Sequence, residues 1–279
     1  MTISLQCPIC HKPLSQYLTS KDLHCESKHQ FPFVEVQEGR GYWVFGKGKK
    51  QQTLSRAQMR SRLFLLSSGI HAPLLDAMNQ ALVSELSQPA CINWLDYESG
   101  DGFYLRALAQ PLVAAMPELN LTRCGFGEAD NALYAAAKAG SDEYYAQCSA
   151  KGLPYADDSF DFLTVVDKPL KGKEAIRVLK TGGLALMVIP ASRHLWQLRS
   201  RLFDDLTEKE VAVNLPKELE LVAQHRVQWQ LDVDGEQALT LLEMTPYAWR
   251  ANDKLKGHIT REAIDGLELD YLVVVARKR

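Results

Sequence analysis

A chain of 279 residues that is 46% hydrophobic and 24% charged has the apolar mass for one large domain and a small one. No apolar run approaches the roughly 20 residues of a membrane-crossing helix, and the opening MTISLQCPIC lacks a basic stretch followed by an apolar one. A cytoplasmic protein with no membrane partner is therefore expected. The net charge of −2 excludes a chain that is basic throughout, so any contact with nucleic acid must rest on a local patch.

In chain order, residues 1–35 come first and carry Cys7-x2-Cys10 and then Cys25-x3-His29. Three thiolates and an imidazole are the donors zinc takes in a closed tetrahedron, and all four filled leaves no position for a reacting water. One structural zinc is expected there, held by Cys7, Cys10, Cys25 and His29, with His11 and His24 left outside. So short a segment has little core of its own, and the metal supplies its stability. The other cysteines, Cys91, Cys124 and Cys148, sit among apolar or mixed neighbours and read as small buried hydrophobes.

Residues 36–70 read as a basic linker and helix. Gly39, Gly41, Gly46 and Gly48 surround a short strand, Tyr42–Phe45, and the spacing of Met59, Leu63, Phe64 and Leu66 predicts an amphipathic helix over 55–68 that stops near Gly69. From Gly39 to Leu75 there is no acidic residue, while Arg40, Lys47, Lys49, Lys50, Arg56, Arg60 and Arg62 are all basic. Seven cations without counter-charges favour phosphate, and a solvated linker would look the same by charge alone.

Residues 71–279 then alternate strand and helix. A helix over 73–86 leads into strands at 90–95, 121–126, 143–147, 160–166 and 184–189, with helices at 103–115, 130–139 and 173–179 between them. Later strands are expected at 219–228 and 271–276. Such alternation predicts an α/β fold with a mainly parallel sheet covered on both faces.

Three pieces of this region share one order. Asp96-Tyr97-Glu98-Ser99-Gly100-Asp101-Gly102 forms a glycine-containing strand-to-helix turn, the kind of turn that lets a backbone approach a nucleotide-like ligand. Gly152-Leu153-Pro154-Tyr155 with Asp157-Asp158-Ser159-Phe160-Asp161 precedes one apolar strand, and Leu179-Lys180-Thr181-Gly182-Gly183 precedes the next. Together they resemble the Rossmann-like class I S-adenosylmethionine methyltransferase fold. With the Cys/His module ahead of it, Pro190-Ala191-Ser192-Arg193-His194-Leu195, and Met244-Thr245-Pro246-Tyr247-Ala248-Trp249-Arg250, the chain resembles the bacterial 23S ribosomal RNA (guanine-N1)-methyltransferases along essentially its whole length.

The resemblance implies S-adenosylmethionine as cofactor, a 23S rRNA hairpin as substrate, and a homodimer with a basic groove. It places the cofactor against Asp96, Glu98, Gly100, Gly102, Glu128 and Ser149. RNA is expected to meet Lys47, Lys49, Lys50, Arg56, Arg60, Arg62, Arg193 and Trp249, with His194 as the candidate proton acceptor. Two positions depart from the family pattern. Glu98 stands where the first glycine of the turn belongs, bringing bulk and negative charge, and Gly127 stands where an acidic residue would bind ribose, with Glu128 one residue on. A protein that grips rRNA without cofactor is the alternative these departures raise.

Overall fold

A computed structural model describes residues 3–46, 55–86, 90–140 and 142–279. The Cys/His module contributes three two-residue strands, β1 (Ser15–Gln16), β2 (Leu23–His24) and β3 (Gln30–Phe31), which pair in that order. A hairpin follows, β4 (Phe33–Gln37) and β5 (Arg40–Val44), and the expected boundary after residue 35 falls inside its first strand. The hairpin is part of the main sheet, because β5 pairs in parallel with a strand a hundred residues away, Tyr42 opposite Tyr145.

Helix α1 (Arg56–Ser67) starts at Ser55, whose hydroxyl accepts from the Gln58 backbone while the Gln58 side chain accepts from the Ser55 N–H. This reciprocal cap satisfies two amides that the first turn would otherwise leave unpaired. After α2 (Ala72–Glu85) come β6 (Cys91–Asp96), α3 (Phe103–Ala115), β7 (Asn120–Gly127), α4 (Asp130–Ala139), β8 (Tyr144–Gln147), β9 (Phe160–Val166), α5 (Glu174–Val178) and β10 (Leu179–Pro190). The chain closes with α6 (Trp196–Arg199), β11 (Leu219–Val233), α7 (Gly235–Glu243), α8 (Asp253–Ile259) and β12 (Ile264–Lys278).

The nine-stranded sheet runs β11-β12-β10-β9-β6-β7-β8-β5-β4. Strands β8, β7, β6, β9 and β10 are parallel, and β12 enters antiparallel between β10 and β11. Leaving aside the added hairpin, this is the strand order of the Rossmann-like class I methyltransferase fold, with its reversed strand next to the last position. β12 is buried almost throughout because both of its faces are covered, and each of its buried Leu and Val side chains contributes about 1.5–3 kcal/mol.

The two faces hold separate cores. Helices α2, α3, α4 and α7 cover one, around Trp94, Leu105, Tyr145 and Leu241. On the other, the Cys/His module and α5 share the cover, as Ile3, Leu23 and Phe31 join Tyr155, Phe160, Leu163 and Ile176. Backbone bonds fasten the module down, with Gln6 donating to the Pro154 carbonyl at 3.0 Å and Ala156 to that of Ser4 at 2.9 Å. Cys124 and Cys148 are buried as expected, but Cys91 is exposed: it begins β6, before the strand enters the core.

Candidate active site and metal centre

Cys7, Cys10, Cys25 and His29 converge, their ligand atoms all within 4.8 Å of one another. His29 Nδ1 lies 3.5 Å from Cys7 Sγ and 3.4 Å from Cys25 Sγ, and the Sγ atoms of Cys10 and Cys25 are 3.6 Å apart. A tetrahedron with zinc–sulfur bonds of about 2.3 Å and a zinc–nitrogen bond of about 2.0 Å has edges of roughly 3.5–3.8 Å, so one zinc fits the cage. The Lys12 backbone amide draws the Cys10 thiol down to about 6, favouring the thiolate a cation requires. His24 instead stacks on Tyr17, with ring centroids 4.1 Å apart.

The second site lies at the carboxyl ends of β6, β7 and β8, where open α/β sheets bind their ligands. The turn after β6 places Glu98, Gly100 and Gly102 in the left-handed region, at φ 49°, 57° and 71°. Gly102 has no room for a side chain: a Cβ there would strike the Tyr145 hydroxyl and lie 2.7 Å from Arg106 Nη1. Beside the turn opens a cleft of about 640 Å³ lined by Glu98, Glu128, Cys148, Ser149, Lys171 and Gly172. That volume falls within the roughly 300–1,000 Å³ of small-molecule sites.

The two sequence departures acquire a physical setting. Glu98 lines the cleft without closing it, and its carboxylate meets Lys168 Nζ at 3.3 Å, so the expected charge repulsion is offset by a partner from the loop after β9. The left-handed backbone at a non-glycine residue still costs about 1–2 kcal/mol. β7 ends at Gly127, and Glu128, the next residue, lines the cleft. Asp96 is not on the cleft wall. It is sealed beneath the turn, accepting from the Thr164 hydroxyl at 2.5 Å, and burial pushes its carboxyl up to about 7.

Several residues expected to face RNA do not. Arg62 is turned toward the turn after β6: a Cβ on Gly100 would lie 3.2 Å from its Nη1, and its buried Nε has no hydrogen-bond partner. Arg193 is committed to Glu268 through two bonds, Nε to Oε2 at 2.8 Å and Nη2 to Oε1 at 2.5 Å. His194 is 2% exposed, packs against Tyr271 with centroids 4.4 Å apart, and is driven down to about 3 by burial. A ring so sealed and so weakly basic is a packing residue, which corrects its assignment as proton acceptor. Arg56 and Arg60 are exposed, on the rim of a groove between α1 and α4. Lys47, Lys49 and Lys50 lie outside the described residues.

Trp249, expected to meet RNA, is 78% exposed. Arg250 lies between the Trp249 and Phe203 rings, 5.2 and 4.5 Å from their centroids, and Arg199 stands 5.6 Å over Tyr247. Guanidinium and aromatic planes thus alternate across this exposed surface. Beneath it runs a chain of buried contacts: Arg199 donates to the His194 carbonyl, His194 touches Tyr271, Tyr271 packs on His71, and His71 bonds the Tyr104 hydroxyl at 2.7 Å. Arg199 and Phe203 were not singled out from sequence, since they lie far from Trp249 in the chain.

No protein-family profile matches the chain. Over 266 residues it is 28% identical to a protein of Micromonospora griseorubida provisionally named 23S rRNA (guanine-N1)-methyltransferase, a match covering 89% of this chain and 88% of that protein. Over 253 residues it is 26% identical to 23S rRNA (guanine(748)-N1)-methyltransferase of Streptomyces fradiae, covering 88% and 85%. The solved YcgJ protein of Bacillus subtilis aligns with a TM-score of 0.43 and 18% identity, over 73% of this chain and 99% of that one. By sequence, along nearly nine-tenths of its length, this chain is similar to proteins named as 23S rRNA (guanine-N1)-methyltransferases.

Proposed function

We propose that the protein transfers a methyl group from S-adenosylmethionine to N1 of a guanine in a 23S rRNA hairpin. The observation that carries this reading is an open cleft at the carboxyl ends of the parallel strands, bordered by Glu98, Glu128 and Ser149. Glu128 would accept from the ribose hydroxyls, and Ser149 lies where the adenine is read. The bound cofactor supplies an electrophilic methyl group, and the protein's part is alignment of donor and base. Trp249 and Arg250 would stack on bases released from the hairpin, and Arg56 and Arg60 would meet its phosphates, helped by Lys47, Lys49 and Lys50. The zinc is structural, since its four positions are filled by protein. In this reading the protein acts in the cytoplasm, as a homodimer.

The open cleft favours this over a scaffold that binds rRNA without cofactor. Calorimetric titration with S-adenosylmethionine tests it directly, with micromolar binding expected. Large-subunit RNA from a strain lacking the gene should then accept one methyl group per molecule, at N1 of a guanine. Absence of heat at millimolar cofactor, with RNA binding intact, would leave the scaffold reading in its place.

A further inference from the structure

Methylating guanine N1 requires that its proton go somewhere, and the groups around the turn after β6 differ sharply in their ability to take it. Asp96 is sealed and hydrogen-bonded to Thr164. Glu98 is paired with Lys168. Asp101 accepts from the Phe103 amide at the start of α3. His71 is 1% exposed, and burial drives it down to about 4. His194 is closed off under Tyr271.

Asp167 differs from all of these. It follows the last residue of β9, and its amide donates to the Val188 carbonyl at 3.0 Å, pinning it between β9 and β10 at the sheet's carboxyl edge. Its φ is 56°, a left-handed backbone that aspartate tolerates better than most residues but that still costs energy, and such positions cluster at active sites. Its neighbour Lys168 reaches Glu98, so the Asp167 loop abuts the cofactor turn. Among the described residues no side chain or backbone amide bonds its half-buried carboxylate, and no cation lies within ion-pair distance.

We infer that Asp167 is the catalytic base that takes the N1 proton of the target guanine, an inference that rests on the proposed methyl transfer. In the reaction the N1–H bond breaks and its proton passes to a carboxylate oxygen of Asp167. The electron pair freed at N1 forms the N1–CH3 bond, and the electrons of the broken S–CH3 bond stay on sulfur. The groups facing Asp167 are Arg62 from α1, Tyr104 from α3, Tyr271 from β12 and adjacent Lys168. Burial outweighs the two cations and holds the carboxyl near 7, where a base both ionises in neutral solution and retains affinity for a proton. Tyr271 packs on both His71 and His194, so this position is built on the same buried aromatic cluster as the His71–Tyr104 pair.

The test compares wild type with Asp167→Asn and Asp167→Glu, using the full zinc-loaded chain. Single-turnover methylation of rRNA is measured from pH 6 to 9, alongside S-adenosylmethionine and RNA affinities and a carbon-13 NMR titration of the Asp167 carboxyl. Asp167→Asn should slow methylation about 10²- to 10⁴-fold while both affinities stay within threefold. Asp167→Glu should recover part of the rate, and the wild-type rate should rise with pH and level off above about 7 as the Asp167 resonance titrates. An active Asp167→Asn protein, or a carboxyl titrating in the ordinary range, overturns the assignment while leaving the methyltransferase reading intact. A wild type that binds no cofactor overturns both.

Discussion

Asp96 is a carboxyl group placed where ionisation is costly, and Asp96→Asn isolates that cost. The amide keeps the shape and the oxygen that accepts from Thr164, so packing is unchanged. In the wild type, burial moves this carboxyl from its ordinary 3.8 to about 7, so between these values the folded chain holds a proton that the unfolded chain has released. Stability therefore falls as pH rises through that window and levels off above 7. At about 1.4 kcal/mol per pH unit the full penalty is about 4 kcal/mol, of which about 2 kcal/mol accumulates between pH 5.5 and 8. Urea unfolding of both proteins should show Asp96→Asn more stable at pH 8, with an advantage smaller by about 2 kcal/mol at pH 5.5. Asp167 titrates alike in both and drops out of the comparison. A pH-independent difference, or a variant less stable at pH 8, would refute the claim that Asp96 is held against its charge.

Chelation should release one zinc per chain and lower the melting temperature markedly, because the module also covers part of one sheet face; Cys10→Ser should do the same in metal analysis and thermal melts. Gly102→Ala should cost about 1–3 kcal/mol in denaturant unfolding and weaken cofactor binding, since the new methyl meets Tyr145 and Arg106 at a left-handed backbone. Trp249→Ala should weaken binding of a single-stranded rRNA fragment by about 1–3 kcal/mol in fluorescence titration while changing stability by less than about 0.5 kcal/mol, its ring being exposed.

Local rules made much of this protein legible. The cysteine and histidine spacing states its own coordination chemistry, and apolar periodicity marks α3, α4 and β9 at 103–115, 130–139 and 160–166, the bounds found in the structure. The reciprocal cap of α1 and the glycine turn after β6 are likewise short-range features. Decisions made across the sheet were not legible. Pairing of β5 with β8 draws the hairpin at 33–44 into the main sheet, and no local pattern announces a partner a hundred residues away. Arg62 and Arg193 look like surface cations in sequence, yet one faces the turn after β6 and the other is held by Glu268. His194 has the chemistry of a base but not the exposure, and Asp167 lies in an unremarkable Asp-Lys-Pro stretch. Charge and residue type are written in the chain, whereas the solvation and partners that decide what a charged group does arise only when distant strands close over it.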